Sequence, residues 1–228
     1  MEVRWEFAVT DETDDPLFPL NTFDAAAMQV IRAHAERTKS IAATSWITQV
    51  PFQFAEQAIP SLTVTSIIIP EGSTPSGLLV KSTSEIWKAI VQELGQDWNL
   101  AYKIPPYHWE EIVAGAFKNQ GYDEVILTPR SGDQGRDIIA IKRGIGSVKV
   151  LGSVKAYAPD RIVPYDAVRS LMGVVASERD ASKGIITTTS SFPPKIESDP
   201  LIAPLLPTRI ELVDGAGLQA WLRNLSES

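Results

Sequence analysis

Three residues in the second half of the sequence, Glu110, Asp137 and Lys155, are of the types that phosphodiester hydrolysis needs. Cutting such a bond at neutral pH calls for a cation to neutralise developing charge, carboxylates to hold that cation, and usually a lysine near the attacking water. The runs Ile138–Ile141 and Val148–Ala156 are predicted strands, separated by the glycine-containing turn RGIGS. Paired as a hairpin about that turn, facing residues have numbers that sum to about 291, which sets Asp137 opposite Val154 to within one position. Side chains alternate along a strand, so Ser153 and Lys155 share a face and Asp137 can meet Lys155 at one site. Glu110, near the start of the preceding predicted helix, joins them as a further acid if that helix packs on the sheet. By default, a single Asp in a turn and a Lys on a strand are ordinary surface residues. Glu110 and Glu111 by themselves read as a solvated first helical turn that the helix dipole favours.

The elements that must position these residues follow from apolar spacing. Trp109, Ile112, Val113, Ala116 and Phe117 recur at helical intervals up to Gly121. Strands are expected at Val125–Thr128, Ile138–Ile141, Val148–Ala156, Gly184–Thr188 and Arg209–Val213, and further helices at Tyr165–Arg179 and Ala216–Asn224. The order α-β-β-β-α-β-β-α makes an α/β mixed sheet flanked by helices. In the first hundred residues, Val3, Trp5, Phe7 and Val9 alternate as a strand, and Phe23–Arg37 has helical spacing. Leu62–Ile69 is a β-branched run ended by Pro70, followed by EGSTPSG as a turn. Ser82-Thr-Ser-Glu85 reads as a capping box before Ile86, Trp87, Ile90, Val91 and Leu94, with Gly95 at the stop. The KIPPY segment within Asp97–Tyr107 is the expected boundary, a rigid extended connector. It divides a separate α+β N-terminal domain, 1–100, from a second domain, 105–228.

Composition bounds the partners. The 228 residues include no cysteine, which excludes disulfides, thiolate zinc sites and a cysteine nucleophile. No apolar run reaches membrane-span length, and the start of the sequence shows no secretory pattern, so a cytoplasmic protein is expected. The net charge of −7 argues at first against nucleic acid. That acidity lies in residues 1–100, with 6 Lys and Arg against 13 Asp and Glu, whereas residues 101–200 carry 13 against 12. A DNA cleft is compatible with the second half, with weak or assisted binding. Trp5, Trp46, Trp87 and Trp98 imply that the acidic half packs, and assembly or partner contact suits it better than base recognition. Other candidates are weaker. Gly144-Ile-Gly146 is too short for a dinucleotide fingerprint. His34 and His108 have no ligand spacing, and Thr187-Thr-Thr-Ser-Ser reads as a strand end before it reads as a phosphate contact.

The runs WEEIVA from Trp109, VILTPRSGDQGRDIIA from Val125, SVKAYAPDR from Ser153, VRSLMGVV from Val168, KGIITTTSSF from Lys183 and IELVD from Ile210 carry a resemblance. Over roughly 105–225 the chain resembles the Mrr-type restriction endonuclease domain of the PD-(D/E)xK nuclease superfamily. The resemblance implies a restriction-endonuclease-like fold and a Mg²⁺- or Mn²⁺-dependent DNA endonuclease acting in defence against foreign DNA. Asp137 matches the family's metal-binding Asp, Lys155 its catalytic Lys and Glu110 its helical acid. Asp133 matches the Asp of the glycine-rich turn, which with Gly135 shapes that turn. The family places Glu or Gln two residues before the Lys, and here that position is Ser153. A metal would be held by Asp137, the Val154 carbonyl, waters and Glu110.

Ser153 has three explanations: compensation by Glu110, loss of activity with DNA binding kept, or an inactivating change in this chain. The alternative function is therefore a catalytically degenerate DNA-binding protein, with a protein-interaction module on the same scaffold ranked last. Tyr157, Arg161 and Arg136 are expected to contact the DNA backbone. A homodimer or higher homo-oligomer is expected, since cutting both strands commonly pairs two sites.

Overall fold

The computed structural model describes residues 66–129 and 135–226. The expected strand at Val3–Val9, the helix at Phe23–Arg37, His34 and Asp133 lie outside the described residues. Seven strands form one sheet in chain order: β1 Ile68–Thr74, β2 Gly77–Thr83, β3 Glu124–Leu127, β4 Ile138–Lys142, β5 Val148–Lys155, β6 Lys183–Thr188 and β7 Ile210–Val213. β1 to β5 are joined antiparallel, and β5, β6 and β7 run parallel. Four helices flank the sheet: α1 Glu85–Gln96, α2 Pro106–Asn119, α3 Tyr165–Ser177 and α4 Gly215–Ser226. From α2 onward the order is the expected α-β-β-β-α-β-β-α.

Neighbouring strand residues go to opposite faces, and the cores divide accordingly. Val125, Ile138, Ala140 and Val150 pack with Trp87 and Leu94 of α1, Trp109 and Phe117 of α2, and Leu218 and Leu222 of α4. Ile126, Ile139, Leu151 and Ile186 pack with Val168, Leu171 and Val175 of α3 on the other face. Both faces are covered, which is why β4 reads as the unbroken apolar run IIAI and not as an alternating one.

The expected boundary at Asp97–Tyr107 does not separate residues 66–96 from this sheet. β2 pairs with β3 through Leu78↔Leu127 and Leu79↔Ile126. Trp87 of α1 is fully buried and donates its indole N–H to the Ile112 carbonyl of α2 at 2.9 Å. Gly115 is what admits that ring, since a Cβ there would lie 2.4 Å from Trp87 Nε1 and 2.8 Å from Thr83 Cγ2. The KIPPY segment is a compact joint between α1 and α2. A 3-10 turn spans Trp98–Lys103, Ile104 is buried, and Trp109 Nε1 donates to Ala101 O at 3.1 Å. α2 starts at Pro106, earlier than Trp109, because proline at the first helical position lacks only an N–H that would have no helical partner.

Two further local expectations are corrected. Pro70 does not end a strand and Glu71–Thr74 is not a turn, because β1 runs through both. Register shifts on either side of Pro70 absorb it, and a proline is tolerated on an edge strand whose N–H needs no ladder partner. The Ser82–Glu85 capping box is absent. Ser84 is the N-cap, and its hydroxyl turns away to donate to Ser66 O at 2.7 Å and Ile67 O at 3.0 Å. Gly95 lies within α1, whose last N–H-to-carbonyl bond comes from Asp97.

Candidate active site

The β4–β5 register pairs Ile138 with Gly152, so Asp137 stands opposite Ser153, one position from the sequence estimate. Its backbone is fixed from both sides. Asp137 N donates to Gly152 O at 2.8 Å, and Thr128 N donates to Asp137 O at 3.0 Å. The Thr128 hydroxyl donates to the neighbouring Arg136 O at 2.6 Å. The carboxylate then receives two hydrogen bonds from β5 and has a lysine of the same strand close by. Oδ2 accepts Val154 N at 2.6 Å and Ser153 Oγ at 3.2 Å, and lies 3.9 Å from Lys155 Nζ. Asp137, Ser153 and Lys155 are therefore brought together at one end of the sheet, on its α3 face. Ser153 is 2% exposed, and the side chains of Asp137 and Lys155 are 12% and 29% exposed. The first is enclosed, and the other two keep a path to solvent.

Glu110 sits half-buried on α2, whose helix covers the opposite face of the sheet. A four-residue link turns α2 back into β3. The two therefore run in opposite directions, and the first turns of α2 lie at the end of the sheet that bears Asp137. Among the described residues, no three His, Cys, Asp or Glu side chains form a ready cation cage. A hard cation nevertheless fits the donors present. Asp137 offers carboxylate oxygens. The Val154 N–H points to Asp137, and since N–H and C=O of one strand residue point to the same side, its carbonyl does too. Mg²⁺ keeps several waters and needs only one or two carboxylates.

The other expected residues divide. Gly135 adopts φ +82°, a conformation only glycine takes cheaply, and a Cβ there would meet Ser170 Oγ of α3 at 3.3 Å. Tyr157 and Arg161 lie just past Lys155, with the guanidinium 4.0 Å from the ring centroid and Arg161 exposed. Arg136, expected to contact DNA, turns inward and pairs with the Glu178 carboxylate. A cation this enclosed requires an anion beside it, and Glu178 supplies one.

The hydroxyl run after β6 had an unforeseen part. Thr188 Oγ1 donates to Lys155 O at 2.7 Å, Thr189 Oγ1 accepts Tyr157 N at 2.8 Å and donates to Tyr157 O at 2.7 Å, and Ser190 Oγ donates to Arg161 O at 2.6 Å. All three are buried. They latch the segment that carries Lys155, Tyr157 and Arg161, which agrees with the strand-end reading. Their signal was the clustering of hydroxyls, but only the parallel β5–β6 pairing shows what they hold. His108, also buried, has Nδ1 3.0 Å from Glu111 Oε2 within α2.

Pocket and membrane features add little to this site. A cleft of about 690 Å³ lies on the opposite face among Phe117, Tyr122, Lys183, Glu211 and Trp221. No described helix is long and apolar enough to cross a membrane.

A search of curated proteins finds no match. Two solved structures are similar at low identity. The MspJI restriction endonuclease in complex with a 27-mer oligonucleotide is 23% identical with a TM-score of 0.40, over 62% of this chain and 32% of that one. The DNA modification-dependent restriction endonuclease AspBHI is 17% identical with a TM-score of 0.42, over 79% of this chain and 46% of that one. This chain therefore spans less than half the length of either. The catalytic-domain model of the Mrr restriction endonucleases matches residues 101–222, more than half of the chain. With the expected element order and the Asp137–Ser153–Lys155 cluster in place, the chain belongs to the Mrr restriction endonuclease family.

Proposed function

We propose that this protein is a Mg²⁺- or Mn²⁺-dependent endonuclease that hydrolyses DNA phosphodiesters in defence against foreign DNA. The observation that carries the reading is the meeting of Asp137 and Lys155 at 3.9 Å on a solvent-accessible end of the sheet. Asp137 and the Val154 carbonyl would hold the metal, with Glu110 as a further acid from the start of α2. The bound cation supplies charge neutralisation at the phosphate. Lys155 orients the attacking water and shares the developing negative charge. Val154 N and Ser153 Oγ fix the rotamer of Asp137, so the carboxylate is set before DNA arrives. Tyr157 and Arg161 meet the DNA backbone beyond Lys155, stiffened by the hydroxyl latch.

We place the protein in the cytoplasm, working as a homodimer or higher oligomer. Because residues 66–96 supply two strands of the sheet and a helix packed on it, the role of assembly or partner contact passes to residues 1–65.

A second reading, a DNA-binding protein with a degenerate site, draws on one contact. Ser153 stands where an acid would add a ligand, and its hydroxyl takes up acceptor capacity on Asp137. Plasmid cleavage with Mg²⁺ or Mn²⁺ separates the two. Cutting that is lost in Asp137→Ala supports the nuclease. Cutting only by Ser153→Glu supports a disabled enzyme on an intact scaffold. DNA binding without cutting by any of them supports the binding protein.

A further inference from the structure

Arg136 is the residue immediately before the carboxylate of the candidate site, yet its side chain is largely enclosed. It pairs with Glu178, the C-terminal cap of α3, and the two side chains are 17% and 19% exposed. Lys149 of β5 approaches the same carboxylate at 2.9 Å and reaches Asp180 at 3.0 Å. Two cations and two anions thus close on one another with no net charge, tying the entry of β4, the middle of the sheet and the end of α3. One residue earlier, Gly135 runs close to α3, where an added Cβ would meet Ser170 Oγ at 3.3 Å and Val174 Cγ2 at 3.6 Å. Thr128 and Gly152 hold the backbone of this segment, and the Arg136 side chain adds a charged link to the end of α3.

An enclosed ion pair is poor evidence for stability, because apolar residues of similar volume commonly serve as well. What it adds is a directional constraint that apolar packing lacks. We propose that Arg136 and Glu178 are positioning residues, which lock α3 to the entry of β4 so that Asp137 keeps its carboxylate aligned with Lys155. The inference rests on the nuclease reading and deepens it. It also replaces Arg136 as a DNA contact.

The test compares the full chain with Glu178→Gln and with the double variant Arg136→Met, Glu178→Leu, which exchanges the pair for apolar groups of similar size. Three quantities are read: melting temperature, Mn²⁺ affinity by calorimetry, and single-turnover cleavage as a function of DNA concentration. Positioning predicts that the double variant melts within a few degrees of the parent. Its Mn²⁺ affinity and maximal cleavage rate each fall about tenfold, while the DNA concentration for half-maximal rate is unchanged, since loss of outer-shell support costs metal sites roughly 10–100-fold. Glu178→Gln moves affinity and rate in the same direction. A change in half-maximal DNA concentration alone, with a shallower salt dependence, would overturn the inference in favour of a phosphate contact. Unaltered metal affinity and rate in a folded double variant overturn it outright. A parent chain that neither binds Mn²⁺ nor cuts overturns the nuclease reading and the inference with it, whereas an active parent beside unaffected variants overturns the inference alone.

Discussion

Ser153→Glu asks whether Asp137 and residue 153 address one cation. Ser153 is 2% exposed and its Oγ lies 3.2 Å from Asp137 Oδ2. A glutamate there sets a second carboxylate roughly 4 Å from the first, and at an effective dielectric of about 20 two like charges at that range repel by about 4 kcal/mol. Lys155, 3.9 Å from Asp137 and on the same face, attracts the new charge. It offsets roughly half of the repulsion, leaving a cost of about 2 kcal/mol. For a folded unit of this size that lowers the melting temperature by roughly 4–8 °C in chelator. A cation bound between the carboxylates reverses the order. At a hundredfold excess over its Kd it returns about 2.7 kcal/mol, and the variant should gain more from Mn²⁺ than the parent does. The assay is thermal unfolding of both proteins in EDTA and across a Mn²⁺ titration. A variant whose deficit is the same with and without Mn²⁺, or which is no less stable in EDTA, refutes the shared-cation geometry.

Two further outcomes follow from packing and ionisation. Gly115→Ala removes a helix-interior glycine, worth about 1 kcal/mol in favour of the variant. Its Cβ would crowd Trp87 Nε1 at 2.4 Å and disturb a buried indole bond to Ile112. Overpacking of about 1–3 kcal/mol plus a weakened hydrogen bond of about 1 kcal/mol leaves a net loss of about 1–3 kcal/mol in urea titration. A stabilised variant would mean that α1 does not pack on α2 as described. Burial, followed by the nearby Glu211 carboxylate, raises the Tyr122 phenol above its ordinary value. The unfolded phenol therefore ionises first. The stability this group contributes is full below pH about 10 and is lost as pH rises towards the folded-state value. Tyr122→Phe should flatten the alkaline decline of melting temperature above that pH, and an unchanged slope counts against the burial argument.

From α2 onward, local pattern was enough for the fold. Each strand there is a short β-branched run and each helix has an apolar stripe, so neighbours in sequence declare their own conformation. The β4–β5 turn is similarly local, and hairpin arithmetic alone brought Asp137 within one residue of its partner, Ser153. Asp137, Lys155 and Glu110 stood out as candidates through the residue types that phosphodiester chemistry uses and through the family resemblance, and the structure brings the first two to 3.9 Å. What sequence could not supply was any contact between segments distant in the chain. β2 is a mild run, GLLVKST, and its pairing with β3 and the packing of Val80, Trp87 and Leu94 into the shared core join residues 66–96 to the rest of the fold. An isolated arginine beside a candidate catalytic carboxylate reads as a phosphate ligand, and only the fold of α3 over the sheet brings Glu178 to Arg136. Local propensity set the elements, whereas long-range packing decided which of the described segments join one sheet and which charges face inward.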